Sequence, residues 1–447
     1  MNILLCPLSD GGYLYPALAA GRELRRRGHR VGVLGRSGAG AVVAEAGLPF
    51  APADDFGGAR AFSAASWAPT GAEQYRATVR AAREARADLL VTSVLCNGTL
   101  LAAEVLDIPV VVIGLSVHLW DYRSGGGDEP QWGRTRENRT HECLELYAAV
   151  REQVGLARRP SRSPARSPAR GPARGPSGEP PRWPDDPLLG EALLLRGDPA
   201  LEYPGAVLPE RVHQVGPLTW EPAADPAELA AVTDHLERSG KPVVYVHLGR
   251  FFGGGTPWPR LNATFTGGPF QAVVEQGRTA DPRPAPGADI LLVRKPWLGP
   301  LVDLAGLVLT SGTSAPVLGA LLRGRPLGVT PNGSEQPVLS GACLRAGVAV
   351  HVPRTEQPDP SGQIGAAWRD DRLRERARTL GARLAAADSP VRAADLIERA
   401  ARQSAPLGEN QENQENHGYS ISRPGHSGRG EPGGGRTPVD SPALGLS

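Results

Sequence analysis

The sequence predicts an α/β protein of two domains, each a parallel sheet covered on both faces by helices, the two facing across a cleft. Three observations carry that expectation. Short β-branched apolar runs alternate with helical patterns from residue 2 to 113 and again from 226 to 402, and runs apolar throughout suit strands buried on both faces. A proline- and arginine-rich break interrupts the first series. Several strand ends run into glycine- and hydroxyl-rich junctions that open helices, where open parallel sheets bind ligands. At 447 residues the chain also exceeds one ordinary domain.

Asn2–Cys6 reads as the first strand, and residues 15–27 as an amphipathic helix stopped by Gly28. A strand over 30–34 and a helix near 41–46 follow. Residues 88–92 and 108–113 are buried strands, with a crossover helix over 98–106. From about 158 to 184 the chain repeats Ser-Pro-Ala-Arg and Gly-Pro-Ala-Arg, which can neither bury a core nor form a helix. Residues 157–184 are therefore expected to be a disordered insertion. Its arginines could touch RNA, anionic lipid or an acidic partner, but no aromatics interleave them as a base-stacking surface needs, and a solvated loop expansion is the preferred reading. A strand at 212–215 closes the first domain, residues 1–216, and 217–225 form a linker. The second domain, 226–402, has strands at 243–248, 272–275, 290–293, 307–310, 327–330 and 348–352. Its helices fit 226–239, 315–322, 334–346, 372–387 and 390–402, the last opened by a Ser389 cap followed by Pro390. Residues 403–447, rich in Gly, Asn, Gln, Ser and Pro, read as a disordered tail.

A hydrophobic fraction of 40% supports real cores, and a net charge of +2 gives no global electrostatic reason to expect nucleic acid. Only Lys241 and Lys295 are lysines; the arginine and alanine bias points to a GC-rich genome rather than to a function. Cys6, Cys96, Cys143 and Cys343 form no CxxC pair and lack a flanking histidine at metal spacing, so buried thiols are expected and no metal site. The run 2–6 is short for a signal peptide, and no apolar stretch approaches the roughly 20 residues of a membrane span. A soluble cytoplasmic protein is expected.

In the second half, Ser311-Gly312-Thr313-Ser314 ends a strand and opens a helix. Helix-terminal N–H groups, three hydroxyls and a glycine for close approach suit a diphosphate, although hydroxyl caps are common in any α/β protein. Arg250, in a glycine-rich strand end, could grip a phosphate or stand on a surface loop. No GxxxxGK[ST] is present, which disfavours a P-loop. Glu335 and Gln336 pair a carboxylate with a carboxamide at another strand-to-helix junction, as recognition of adjacent hydroxyls requires. Trp297 could stack on a base or belong to the core. In the first half, His118, Trp120, Asp121 and Tyr122 follow strand 108–113. The aromatics suit an apolar pocket and His118 or Asp121 a proton acceptor, though a lone histidine is more often structural.

With these spacings the chain resembles the GT-B glycosyltransferases of family 1, especially bacterial enzymes that decorate natural products, over about residues 1–402 apart from the insertion. Residues 1–34 resemble the family's opening strand, loop and helix, 296–305 its nucleobase loop, 308–321 its donor-phosphate signature and 326–347 its donor-sugar segment. The resemblance implies two Rossmann-like domains and transfer of a hexose or deoxyhexose from a UDP- or dTDP-sugar to a small-molecule aglycone. It implies no metal or other cofactor. Neither nucleic acid nor a membrane is an expected partner; a homodimer is left open. Three departures matter. Tyr13 stands where the family places its general-base histidine, and Ser93 where it places the orienting aspartate. Ser311 replaces a phosphate-contacting histidine and Gly319 a glutamate. Asp10, on the loop before Tyr13, is taken as the base, against its plainer role in an Asx turn. Alternatively the acceptor needs little deprotonation, or the protein binds without turnover as an auxiliary. An epimerase of the related fold, acting on the sugar nucleotide alone, is a further alternative.

Overall fold

The computed structural model describes residues 1–120, 133–157, 187–248, 258–275, 284–333, 335–352 and 360–404. The first half runs β1 (Asn2–Cys6), α1 (Gly11–Arg26), β2 (Arg30–Gly35), α2 (Gly40–Glu45), β3 (Phe50–Pro52), α3 (Gly71–Ala85), β4 (Leu89–Ser93), α4 (Asn97–Leu106), β5 (Val110–Ile113), α5 (Gly133–Gln153), β6 (Ala192–Leu195) and β7 (Val212–Gln214). Its seven strands form one parallel sheet in the order β3-β2-β1-β4-β5-β6-β7. The strands are apolar on both faces because both are covered. Leu4, Leu90, Val112 and Leu193 pack towards α3, α4 and α5. Their alternates Leu5, Val91, Val111 and Leu194 pack towards α1.

The second half runs α6 (Pro226–Ser239), β8 (Val243–His247), α7 (Trp258–Phe265), β9 (Gln271–Glu275), β10 (Ile290–Val293), α8 (Leu298–Asp303), β11 (Leu307–Thr310), α9 (Ser314–Leu322), β12 (Leu327–Val329), α10 (Gln336–Arg345), β13 (Ala349–His351), α11 (Pro360–Arg369), α12 (Asp371–Ala385) and α13 (Ser389–Ser404). Its six strands are also all parallel, in the order β10-β9-β8-β11-β12-β13. Each sheet therefore reverses its winding beside its own first strand, β1 or β8. That reversal opens a crevice at the carboxyl ends of the strands.

Several elements depart from the sequence reading. Helix α1 starts four residues earlier than expected, because the Asp10 carbonyl accepts from Tyr13 and Leu14 N–H and draws the glycine pair into the first turn. Helices α3 and α5, and strands β3 and β6, were not read from the sequence. Helix α13 follows the second half in sequence but packs on the first: Ala393, Ala394, Ile397 and Ala400 share a core with Leu14, Leu18 and Leu24 of α1. Arg27 clasps it through Asp395 (2.7 Å) and Glu398 (3.2 Å), and His29 through Glu398 (2.9 Å). Residues 158–184 of the arginine–proline insertion and 405–447 of the tail lie outside the described residues. The four cysteines are free and buried, as expected. No described helix is long and apolar enough to cross a membrane.

Candidate functional site

The carboxyl ends of the two sheets face one cavity of about 910 Å³. From the first half come the β1–α1 loop (Asp10 to Tyr13), the segment after β5 (Leu115, Leu119, Trp120) and Arg196 at the end of β6. From the second come His247 at the end of β8, Glu275 at the end of β9, the start of α9 (Thr313, Ser314) and the start of α10 (Glu335, Gln336). The connecting segment adds Trp220 and Glu221. Among the bonds that hold the walls in register, one is direct and one runs through the connecting segment. Ser116 N–H donates to Ser314 Oγ at 3.1 Å, and Gly299 N–H donates to Glu221 Oε2 at 2.9 Å.

On the first wall, Asp10 and Tyr13 are both partly exposed to the cavity. One carboxylate oxygen of Asp10, Oδ2, accepts from Ala64 N–H at 2.5 Å and so pins the loop 57–70. Ser93 is buried, and its Oγ accepts from Leu8 N–H at 3.0 Å, so it buttresses the same β1–α1 loop rather than facing the cavity. Trp120 lines the cavity and is 3% exposed. His118 does not line it: the residue is wholly buried, its N–H donates to Glu202 Oε1 at 2.7 Å and its carbonyl accepts from Arg136. That placement corrects the expectation of a proton acceptor at the cavity and favours the structural reading. Asp121 and Tyr122 lie outside the described residues.

On the second wall, α9 presents its amino end to the cavity through Thr313 and Ser314. Ser311 and Gly312 sit behind that wall. Ser311 is 6% exposed, with no hydrogen-bond partner for Oγ among the described residues, and Gly312 takes the left-handed φ of +89° that turns the chain into the helix. Glu335 lines the cavity beside Gln336, but the Gln336 Oε1 accepts from Asn332 N–H at 2.8 Å and so closes its own turn. Trp297 is 5% exposed and packs in the core, while its neighbours Pro296 and Leu298 reach the cavity. Trp297 therefore packs as the core alternative has it, off the cavity wall. Arg250 lies outside the described residues.

Other cavity residues had no motif to announce them. Tyr15 packs edge-on against Trp220 at 5.6 Å, and burial, with nearby carboxylates, pushes its pKa up to about 12. Burial pushes the Arg196 guanidinium down to about 10, against the opposing pull of Tyr13 and Glu335. His247 is lowered by burial, with Glu275 pulling the other way. Glu275 in turn accepts from Tyr245 OH at 2.5 Å. Among the described residues no three His, Cys, Asp or Glu gather to hold a metal ion.

No family model and no curated protein sequence matches the chain. Solved structures do. The glycosyltransferase of kitacinnamycin is 21% identical with a TM-score of 0.64, over 89% of this chain and 98% of that one. CalG4, the calicheamicin glycosyltransferase, is 19% identical with a TM-score of 0.62, over 90% and 99%. VinC, a glycosyltransferase solved in complex with dTDP, is 16% identical with a TM-score of 0.58, over 90% and 100%. The fold is that of these proteins: GT-B, two Rossmann-like parallel-sheet halves across a cleft.

Proposed function

We propose that the protein is a glycosyltransferase that moves a hexose or deoxyhexose from a UDP- or dTDP-sugar to a small-molecule acceptor. The observation that carries this reading is the cavity itself: an aromatic wall with a carboxylate, from Trp120 and Asp10, opposes a helix start and a sugar-type carboxylate, from Ser314 and Glu335. That dTDP sits in VinC, a protein of the same fold, supports a nucleotide sugar as donor. The donor diphosphate would lie on the amino end of α9, where main-chain N–H groups and the helix dipole favour an anion. Ser314 Oγ already accepts from Ser116, so its own proton is free to be donated to a phosphate oxygen. The acceptor would lie along Trp120 with its hydroxyl near Asp10, the assigned base. Tyr13 would line that pocket.

The test is release of nucleoside diphosphate by the full chain from UDP- and dTDP-hexoses, with and without a panel of aglycones, with glycosides detected by mass. Release that requires an acceptor supports the reading. A changed sugar nucleotide formed without any acceptor would replace it with an epimerase. One observation favours a second reading, a protein that binds without turning over: Ser93, at the expected aspartate position, is committed to Leu8, and Tyr13 stands at the expected histidine position. Tight nucleotide binding with no release under any pairing would select it.

A further inference from the structure

Arg196 stands at the carboxyl end of β6, on the acceptor half, and is 3% exposed. Its N–H donates to Leu115 O at 2.8 Å and its Nε to Gly114 O at 2.9 Å, which lays the side chain along segment 114–116. The same segment donates from Ser116 N–H to Ser314 at the first turn of α9. Arg196 thus comes from one half of the protein and lines the same cavity as the helix start of the other. The Nε bond is its one side-chain hydrogen bond among the described residues, and it makes no ion pair there.

A desolvated cation of this kind is costly unless an anion meets it. Of the cavity's other arginines, Arg323 is held by Asp303 at 2.9 Å and Glu221 at 3.5 Å, and Arg139 is likewise lowered by burial, with Glu335 and Glu142 pulling the other way. The cavity wall carries five carboxylates and three arginines, so an incoming diphosphate needs a cation that is not tied up in an ion pair; Arg196 feels Glu335 but forms no ion pair with it.

Resting on the donor-site reading above, we propose that Arg196 is a catalytic residue that reaches across the cleft, binds the β-phosphate of the sugar nucleotide and stabilises it as it leaves. In the transfer, the acceptor oxygen bonds to the anomeric carbon as the bond from that carbon to the β-phosphate oxygen breaks. The bonding pair stays on the phosphate oxygen, and the acceptor proton goes to Asp10. Two Nη–H groups in a planar fork match the oxygens that gain charge, and a cation already stripped of water acts on them at full strength. Donor binding would then draw the two halves together, because each supplies part of the phosphate site.

Calorimetric titration of the full chain with thymidine and uridine di- and monophosphates tests this on wild type, Arg196→Lys and Arg196→Met. The methionine variant keeps the buried stem's volume without its charge, so it serves if the lysine variant does not fold. Diphosphate affinity should fall about 10-fold or more, monophosphate affinity should stay within about two-fold, and turnover should drop about 100-fold. Unchanged diphosphate affinity in a folded variant overturns the proposal, and loss of acceptor binding alone would instead assign the charge to an anionic acceptor. Equal loss for mono- and diphosphates overturns it too, leaving a structural arginine. Wild type that binds none of the four nucleotides overturns the donor-site reading itself.

Discussion

Gly312 offers the sharpest test of how the α9 start is built. Its φ of +89° lies in the left-handed region, and a Cβ there would stand 2.2 Å from Ser340 Oγ and 3.1 Å from the Gln336 carbonyl. Gly312→Ala therefore meets two separate costs. The backbone conformation costs about 1–2 kcal/mol for a residue with a Cβ. Displacing Ser340 and the first turn of α10 costs about 1–3 kcal/mol. Alanine also restricts the unfolded chain, which offsets about 0.4–1 kcal/mol. The net expectation is a loss of about 1–4.5 kcal/mol, read as a lower urea midpoint by tryptophan fluorescence. The two costs are separable. Ser340 is 1% exposed and its Oγ has no partner among the described residues, so Ser340→Ala alone should be neutral or mildly stabilising. Combined with Gly312→Ala it should restore the packing share and leave the backbone share. Wild-type stability for Gly312→Ala, or a double variant no better than the single, would refute this account of the junction.

Three further outcomes follow from the same geometry. Asp10→Asn should lower turnover roughly 100-fold or more with nucleotide binding retained, if that carboxylate takes the acceptor's proton; unchanged initial rates would remove it from the mechanism. Trp120→Ala should raise the acceptor KM roughly ten-fold with little change in donor KM, by opening the aromatic wall; an equal rise in both would place the residue in general folding instead. For Glu398, burial raises the carboxyl pKa, but hydrogen bonds and charge from His29 and Arg27 outweigh it and hold the group below its ordinary value of 4.5. A carboxyl acidified by folding stabilises the protein above its unfolded titration, and that contribution is lost as pH falls through the lower folded value. Glu398→Gln should therefore destabilise at neutral pH and flatten the acid limb of a melting profile; a limb as steep as wild type would exclude this clasp as its source.

Legibility tracked the covering of each strand. The expected strands at 243–248, 290–293 and 307–310 were found within a residue of their limits because those runs are apolar on both faces, whatever surrounds them. Helix α5 escaped for the opposite reason. Its buried stripe includes Arg136, Cys143, Tyr147 and Val150 at helical spacing, but a buried arginine in the stripe erases the apolar periodicity. Strand β6 is only four residues, Ala192–Leu195, separated in sequence from helix α5 by the arginine–proline insertion, so the strand–helix alternation is hard to follow there. Arg196 was lost with it. Had the strand been read, the rule that parallel sheets bind ligands at carboxyl ends would have singled out the arginine that follows. The same rule pointed to Asp10, Thr313, Ser314 and Glu335, and these four do line the cavity. Trp297 and His118 sit at the same edges but are buried off the cavity wall, because position at a sheet edge does not say which way a side chain turns.

The replaced dyad reads differently once the loop contacts are known. Ser93 holds Leu8 N–H from below, and Asp10 holds Ala64 N–H from the side, so both residues position one loop. An ionised carboxylate at position 93 would sit beside the buried Cys96, 3.5 Å from the present hydroxyl, a costly place for a charge. Asp10 lines the cavity as a residue, with Oδ2 accepting from Ala64 N–H and Oδ1 buried, one residue beyond the serine whose Oγ takes Arg36 N–H. If Asp10 is the base, as proposed, the carboxylate offered to an acceptor stands on the loop after β1 rather than at the end of β4, with no imidazole between it and the substrate.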